Sequence, residues 1–432
     1  MRILKLDNVT KKDILENLLK RSPSQYKEYQ ESVDIILDDV LAHGDEALIR
    51  LTEKFDRVKL SADDLRVSTY EIKAAYEAVP DKLLETMKRS LANIREFHER
   101  QVRQSFITTR DDGVLLGQRI TPIEKVGVYV PGGSAPLSSS VLMNIVPAKV
   151  AGVDRIVMCT PPGKDGAISS EVLVAADLAG ADEIYKCGGA QAIAAMAYGT
   201  KTIPKVHKIV GPGNMFVTLA KKAVFGLVGI ESVAGPSEIL VLADSSADPE
   251  YVTADLLSQA EHDPIASAIL ITTDEKLADT VSKRVHEMAA GLARCEIIEK
   301  SLENYGYILV AENMDDAIDA VNEIASEHLE IMTEDPFGIM TRVRNAGAIF
   351  LGPYSSEPLG DYFAGTNHVL PTNGTARFSS PLSVDEFIKK TSLISYSESA
   401  LEEASDDIIA FAKAEGLTAH ANSIAIRFGK DI

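Results

Sequence analysis

A chain of 432 residues has room for two to four domains at the usual size of about 150 residues, which excludes a small module stapled by metal or disulfides. Hydrophobic residues make up 45% and charged residues 25%, as in a compact globular protein and too apolar for a disordered one. The formal net charge of −20 sets up a field that repels nucleic-acid backbones and anionic membranes, so neither is an expected partner.

The first residues, Met-Arg-Ile-Leu-Lys-Leu-Asp, lack the apolar core of a signal peptide, and no stretch reaches the ~18 apolar residues of a membrane span. A cytoplasmic location is expected. Cys159, Cys187 and Cys295 are odd in number and widely spaced, without a Cys-x-x-Cys pair, which fits a reducing compartment.

In chain order, Val33, Ile36, Leu37, Val40, Leu41, Leu48, Leu51 and Phe55 recur at helical spacing. Leu83, Leu84, Met87, Leu91, Ile94 and Phe97 form a second helical stripe, ending near Arg100. Neither groups reactive side chains on one face, so both read as scaffold. From about residue 125 short apolar runs alternate with amphipathic helices. The runs 126–130, 155–160, 184–187 and 208–210 lead into Pro131-Gly132-Gly133, Pro161-Pro162-Gly163, Gly188-Gly189 and Gly211-Pro212-Gly213-Asn214. These junctions predict a parallel sheet of Rossmann type with a ligand site beyond the carboxyl ends of its strands. A second set of strands is expected at 239–243, 268–273, 307–310, 329–332 and 348–351. After Phe378, the segments 383–390 and 400–413 read as helical and charged, too short for a core of their own. The expected fold is thus α/β, with two Rossmann-like parallel-sheet domains and small helical N- and C-terminal segments.

The histidines divide into two groups. His43, His98, His207 and His286 sit among charged residues and read as solvated side chains. His262, His328, His368 and His420 occur among carboxylates, amides, glycine and proline. Gln259 and His262, three apart at a helix end, can face one point and suit a borderline divalent metal such as zinc; Asp361 and His420 could complete a tetrahedral set. A helix cap and a turn explain the same residues without a metal. Glu327-His328 stands between a helix and an apolar strand and offers two proton acceptors of different natural pKa, or merely a surface pair. The Gly211-Pro212-Gly213-Asn214 turn lacks the third glycine of the dinucleotide fingerprint, yet the glycine turns together favour a phosphate-bearing ligand.

These residues lie in a series of ordered motifs. They run Val126-Gly127-Val128-Tyr129-Val130-Pro131-Gly132-Gly133, Cys187-Gly188-Gly189-Ala190-Gln191-Ala192-Ile193-Ala194, Gly211-Pro212-Gly213-Asn214, Ala234-Gly235-Pro236-Ser237-Glu238 and Asp255-Leu256-Leu257-Ser258-Gln259-Ala260-Glu261-His262. Glu327-His328-Leu329-Glu330, Gly365-Thr366-Asn367-His368-Val369-Leu370-Pro371-Thr372 and Glu415-Gly416-Leu417-Thr418-Ala419-His420 complete the series. Through them the chain resembles the histidinol dehydrogenases from near its start to its end. It departs from their pattern at Ile230-Glu231-Ser232-Val233, where an aspartate and often a proline are familiar, and at Ser326, where proline is common.

The resemblance implies an oxidoreductase that uses zinc and NAD to convert L-histidinol to L-histidine through bound L-histidinaldehyde, with an architecture like that of aldehyde dehydrogenases. It implies Gln259, His262, Asp361 and His420 as zinc ligands, and Glu327 and His328 as catalytic bases. Ser237, His368 and Glu415 would contact substrate together with the zinc ligands and His328, while Tyr129, Gln191 and Asn214 would hold NAD. It further implies a homodimer with shared active sites. The corresponding domains are an N-terminal helical segment (1–28), a first α/β domain with the metal and catalytic residues (29–124 and 237–378), a Rossmann-like NAD domain (125–236) and a helical tail reaching the partner subunit (379–432). Rival readings are a zinc dehydrogenase of another polar alcohol, a zinc hydrolase in which Glu327 activates water, and a non-catalytic nucleotide-binding protein.

Overall fold

The computed structural model describes residues 1–21, 27–132 and 137–431; Gly133 of the first glycine turn lies outside the described residues. The strands in chain order are β1 (Arg2–Lys5), β2 (Phe106–Thr109), β3 (Leu115–Pro122), β4 (Lys125–Tyr129), β5 (Arg155–Thr160), β6 (Glu183–Lys186) and β7 (Lys208–Val210). They continue with β8 (Gly229–Ile230), β9 (Glu238–Ala243), β10 (Ser267–Thr272), β11 (Gly306–Val310), β12 (His328–Met332), β13 (Ala348–Leu351) and β14 (Ile388–Ser395). The chain forms two compact units, residues 1–101 with 123–387, and residues 102–122 with 388–432.

The larger unit holds two parallel sheets, ordered β6-β5-β4-β7-β8 and β1-β11-β10-β9-β12-β13. Strands β9 and β10, Glu-Ile-Leu-Val-Leu-Ala and Ser-Ala-Ile-Leu-Ile-Thr, are buried throughout. Such near-continuous apolar runs belong to strands covered by helices on both faces. The stripe from Val33 to Phe55 forms two helices, Lys27–His43 and Asp45–Phe55, because Gly44 takes a left-handed φ of 53° between them. Val33, Ile36, Leu37, Leu48 and Leu51 pack beside the alanine-rich Gly189–Tyr198 helix, whose short side chains admit close neighbours. Met87 and Ile94 of the Asp81–Glu99 helix join the core over the other face of the same sheet. The helices between 27 and 99 thus bury their apolar faces against the five-stranded sheet, rather than the six-stranded one with which residues 29–124 are grouped above.

Three local expectations are corrected. The first residues, grouped with a helical segment, include β1, which pairs in parallel with β11 before the Asn8–Leu19 helix begins. The segment 383–390, expected as helix, is a 3-10 turn at Val384–Phe387 followed by β14, which pairs antiparallel with all eight residues of β3. A ladder with a distant strand outweighs local helical preference there. His98, read as solvated, is fully buried; its Nδ1 bonds the Gln101 side-chain oxygen at 2.7 Å, and burial lowers its pKa. The smaller unit carries the antiparallel sheet β14-β3-β2 and the helices Glu398–Ala414 and Thr418–Ala425. Among the described residues no helix is long and apolar enough to cross a membrane.

Candidate active site

The two parallel sheets of the larger unit present opposite ends to their candidate sites. In the six-stranded sheet the chemistry collects at the amino ends of β9, β10 and β12. The Met314–Ile324 helix ends at Ala325, whose left-handed φ of 53° turns the chain so that Glu327 and His328 enter β12 buried. Both side chains are held by the backbone of one residue. The Glu238 N–H donates to Glu327 Oε2 at 2.9 Å, and His328 Nδ1 donates to the Glu238 oxygen at 3.0 Å. A carbonyl only accepts, so Nδ1 carries a proton, and Nε2 is an acceptor when the ring is neutral. Nε2 is buried without a hydrogen bond, 3.7 Å from Asp361 Oδ1. Ser326, where the family pattern favours proline, donates its hydroxyl to the His328 carbonyl at 3.0 Å.

The electrostatics follow from burial and close charges. Burial pushes the Glu327 carboxyl up to about 8 against the opposing pull of His328. For His328 burial acts downward, but the carboxylates of Glu327, Asp361 and Glu357 outweigh it and raise the imidazole. Asp361, despite burial, is held down at about 2 by His328, His368 and His262. Beneath the strand start, Glu238 forms an ion pair with Arg21 at 2.6 Å, both side chains being buried.

Next to this pair lies a set of metal-ligating groups. One ligand atom from each of His262, Glu357 and Asp361 lies within 4.8 Å of the others. The carboxylates stand four apart on the short Glu357–Tyr362 helix and so share a face. Gln259 lies in the last turn of the Pro249–Ala260 helix, and the His262 N–H bonds the Gln259 carbonyl at 3.2 Å, extending the turn that aligns them. Gln259 Oε1 and Nε2 are both buried without a hydrogen-bond partner. An orphaned buried polar group costs about 1–3 kcal/mol, a cost relieved when the amide oxygen binds a cation. The donor set of one imidazole, two carboxylates and one amide fits zinc. His262 is exposed as a residue, yet desolvation of its ring lowers its pKa against the pull of Asp361, favouring the neutral ring that a metal needs.

Glu357 is absent from the sequence-based set; its spacing of four from Asp361 is the signal in the sequence that could have found it. His368 keeps a buried, unpartnered Nε2 close enough to influence both His262 and Asp361. Ser237 is half-buried just before β9. His420 and Glu415 belong to the smaller unit, His420 exposed on the Thr418–Ala425 helix and Glu415 exposed at the end of the Glu398–Ala414 helix.

In the five-stranded sheet the candidate site lies at the carboxyl ends, as Rossmann topology requires. A cavity of about 830 Å³ is lined by Tyr129 from β4, Gln191 after β6, Asn214 after β7, and also by Asp56. The Gly189 N–H donates to the Tyr129 hydroxyl at 3.1 Å. Asn214 Oδ1 caps the Met215–Val224 helix. Gly211 has φ 119°, and a Cβ there would fall 2.0 Å from the Tyr129 oxygen, so the turn admits only glycine. Glu231, the departure from the family pattern, accepts the Gly211 N–H at 2.8 Å and pairs with buried Lys221. The glutamate therefore anchors the turn.

An acid and an imidazole withdrawn from water, gripped by the backbone of one residue and bordered by unsatisfied ligand groups, serve proton transfer better than packing; with two parallel sheets they define an α/β enzyme. The chain belongs to the histidinol dehydrogenase family, whose sequence model matches residues 19–428, and is an oxidoreductase. It is 51% identical to the histidinol dehydrogenase of Clostridium acetobutylicum over 99% of both chains. It is 55% identical to that of Geobacillus kaustophilus, over 96% of this chain and 97% of the relative. The crystal structure of histidinol dehydrogenase from Elizabethkingia anophelis superposes with a TM-score of 0.93 at 39% identity, covering 99% of this chain and 98% of the other.

Proposed function

We propose that the protein is a zinc- and NAD-dependent enzyme that oxidises L-histidinol to L-histidine through bound L-histidinaldehyde, closing histidine biosynthesis in the cytoplasm. The observation that carries this reading is the backbone of Glu238, whose N–H and carbonyl hold Glu327 and His328 at once, with His328 Nε2 left unbonded. Bound zinc would fix the nitrogens of the substrate, and each of two NAD molecules in turn would accept a hydride from its carbon.

The chain's own groups divide the remaining work. His328 Nε2 takes the proton of the alcohol, gives it up to solvent, and after the aldehyde is hydrated takes the proton of the hydrate. Glu327, in its ionised form, removes a proton from the water that adds to the aldehyde and releases it to solvent. Burial keeps bulk water from the pair, so the reactive aldehyde is retained between steps. Gln259, His262 and Asp361 would hold the metal, joined by His420 from a second copy of the chain. Ser237, His368 and that copy's Glu415 would orient the substrate. Tyr129, Gln191 and Asn214 would hold NAD beside the glycine turns.

The deciding experiment is incubation of the purified, zinc-loaded protein with L-histidinol and NAD, following NADH absorbance and analysing the product. Two NADH and one L-histidine per L-histidinol are expected. No NADH from L-histidinol, or NADH only from a different polar alcohol, refutes the substrate reading.

A further inference from the structure

We infer that Asp56 is a binding residue for the adenosine ribose of the dinucleotide and selects a free 2′-hydroxyl over a 2′-phosphate. The inference rests on the NAD reading above and names a residue that the motifs do not mark. Asp56 follows the Asp45–Phe55 helix as its C-cap, its N–H bonded to the Thr52 oxygen at 2.9 Å, and the chain then turns at Arg57, which has φ 61°. The side chain is thereby fixed in place on the wall of the 830 Å³ cavity.

Three features make the position unfavourable for an acid unless a ligand meets it. The negative end of a helix dipole repels a carboxylate. Oδ2 is buried and has no hydrogen-bond partner. Burial pushes the carboxyl up to about 6, and no charge among the described residues offsets that shift. An ionised carboxylate only accepts hydrogen bonds. The vicinal hydroxyls of a ribose supply two donors, whereas a 2′-phosphate brings a second negative charge and no such pair. Phe55, Ile36, Ile168 and Pro162, which line the same cavity, offer apolar surface for the flat base attached to that ribose. Lys164, the cation on the wall, is exposed to solvent.

The test is calorimetric titration of the zinc-loaded protein and its Asp56→Asn variant with NAD and with NADP, while zinc content and melting temperature are recorded. The wild type is expected to bind NAD at least about tenfold more tightly than NADP. The variant should lose about tenfold or more in NAD affinity, as for a hydrogen bond to a charged group, and bring the two affinities together. It should keep its zinc, and its melting temperature should not fall. If the wild type binds NAD but the variant keeps the same preference, or loses both ligands equally, Asp56 does not read the 2′ position and the NAD reading stands. A wild type that binds no NAD overturns both.

Discussion

His328 Nδ1 lies 3.0 Å from the backbone oxygen of Glu238, whose own N–H reaches Glu327, so the geometry of both candidate bases depends on the backbone of one residue at the start of β9. The side chain of that residue is gripped by Arg21, which also donates to the Ile265 carbonyl at 2.8 Å. Buried ion pairs add little net stability but are costly to break. Arg21→Met should therefore lower the free energy of urea unfolding by about 3–5 kcal/mol, because Glu238 is left buried without its partner. A loss below about 1 kcal/mol would show that the pair is dispensable.

Metal dependence follows from the donor set. Chelation should abolish turnover, and added zinc should restore it. His262→Asn should lose zinc and turnover together, as read by metal analysis and NADH formation, because it removes one member of the His262, Glu357 and Asp361 cluster. Full activity in a demonstrably metal-free preparation would end this assignment.

The half-reactions separate through Glu327. Only the aldehyde step consumes water, so Glu327→Gln should slow oxidation of supplied L-histidinaldehyde far more than oxidation of the alcohol, by about 10²-fold or more. The rival chemistry is a thiohemiacetal on Cys187. That thiol is fully buried and its pKa is pushed well up, chiefly by burial, so it is a poor nucleophile. Cys187→Ser should stay active, and a folded, zinc-bound but inactive variant would overturn the hydrate route.

Asp56 also gives a pH signature in the protein without dinucleotide. Its folded pKa, about 6, is raised above the ordinary value near 3.8, so the ionised carboxylate destabilises the fold. The penalty is full above pH 6 and fades as the pH falls towards the unfolded value. Because the side chain is only half-buried, solvent screening reduces the effect to about 1 kcal/mol. Asp56→Asn should accordingly unfold at higher urea than wild type at pH 8, with the difference vanishing near pH 4. A constant difference across that range would refute the linkage.

Mixing mutants tests the proposed shared site. Homodimers of His420→Asn, and of Glu327→Gln assayed for complete conversion, should be inactive. Co-refolding should restore about a quarter of wild-type activity, since half the dimers are mixed and one of their two sites is intact. Proven heterodimers without activity would return His420 to its own subunit.

The sequence by itself determined the strand–turn–helix rhythm from 125 to 351, since continuous apolar runs and glycine junctions are local properties. It also marked Gln259, His262, Glu327, His328 and Asp361, whose residue types and neighbours are unusual outside chemistry. Segments stabilised by distant partners were out of reach. β1 is four residues whose bonds come from β11, some three hundred residues on, and β14 exists through its pairing with β3.

Tertiary structure alone decided how the marked residues relate. Glu357 enters the cluster because the short Glu357–Tyr362 helix places its side chain, with that of Asp361, beside His262. Glu238 matters through its backbone, which no side-chain motif can announce. Which end of each sheet carries its site is fixed by where the chain brings the marked residues together, while a carboxylate becomes a base or an orphan according to what surrounds it. Burial, hydrogen-bond partners and fixed charges are sums over elements far apart in sequence, and they exist only once the chain has folded.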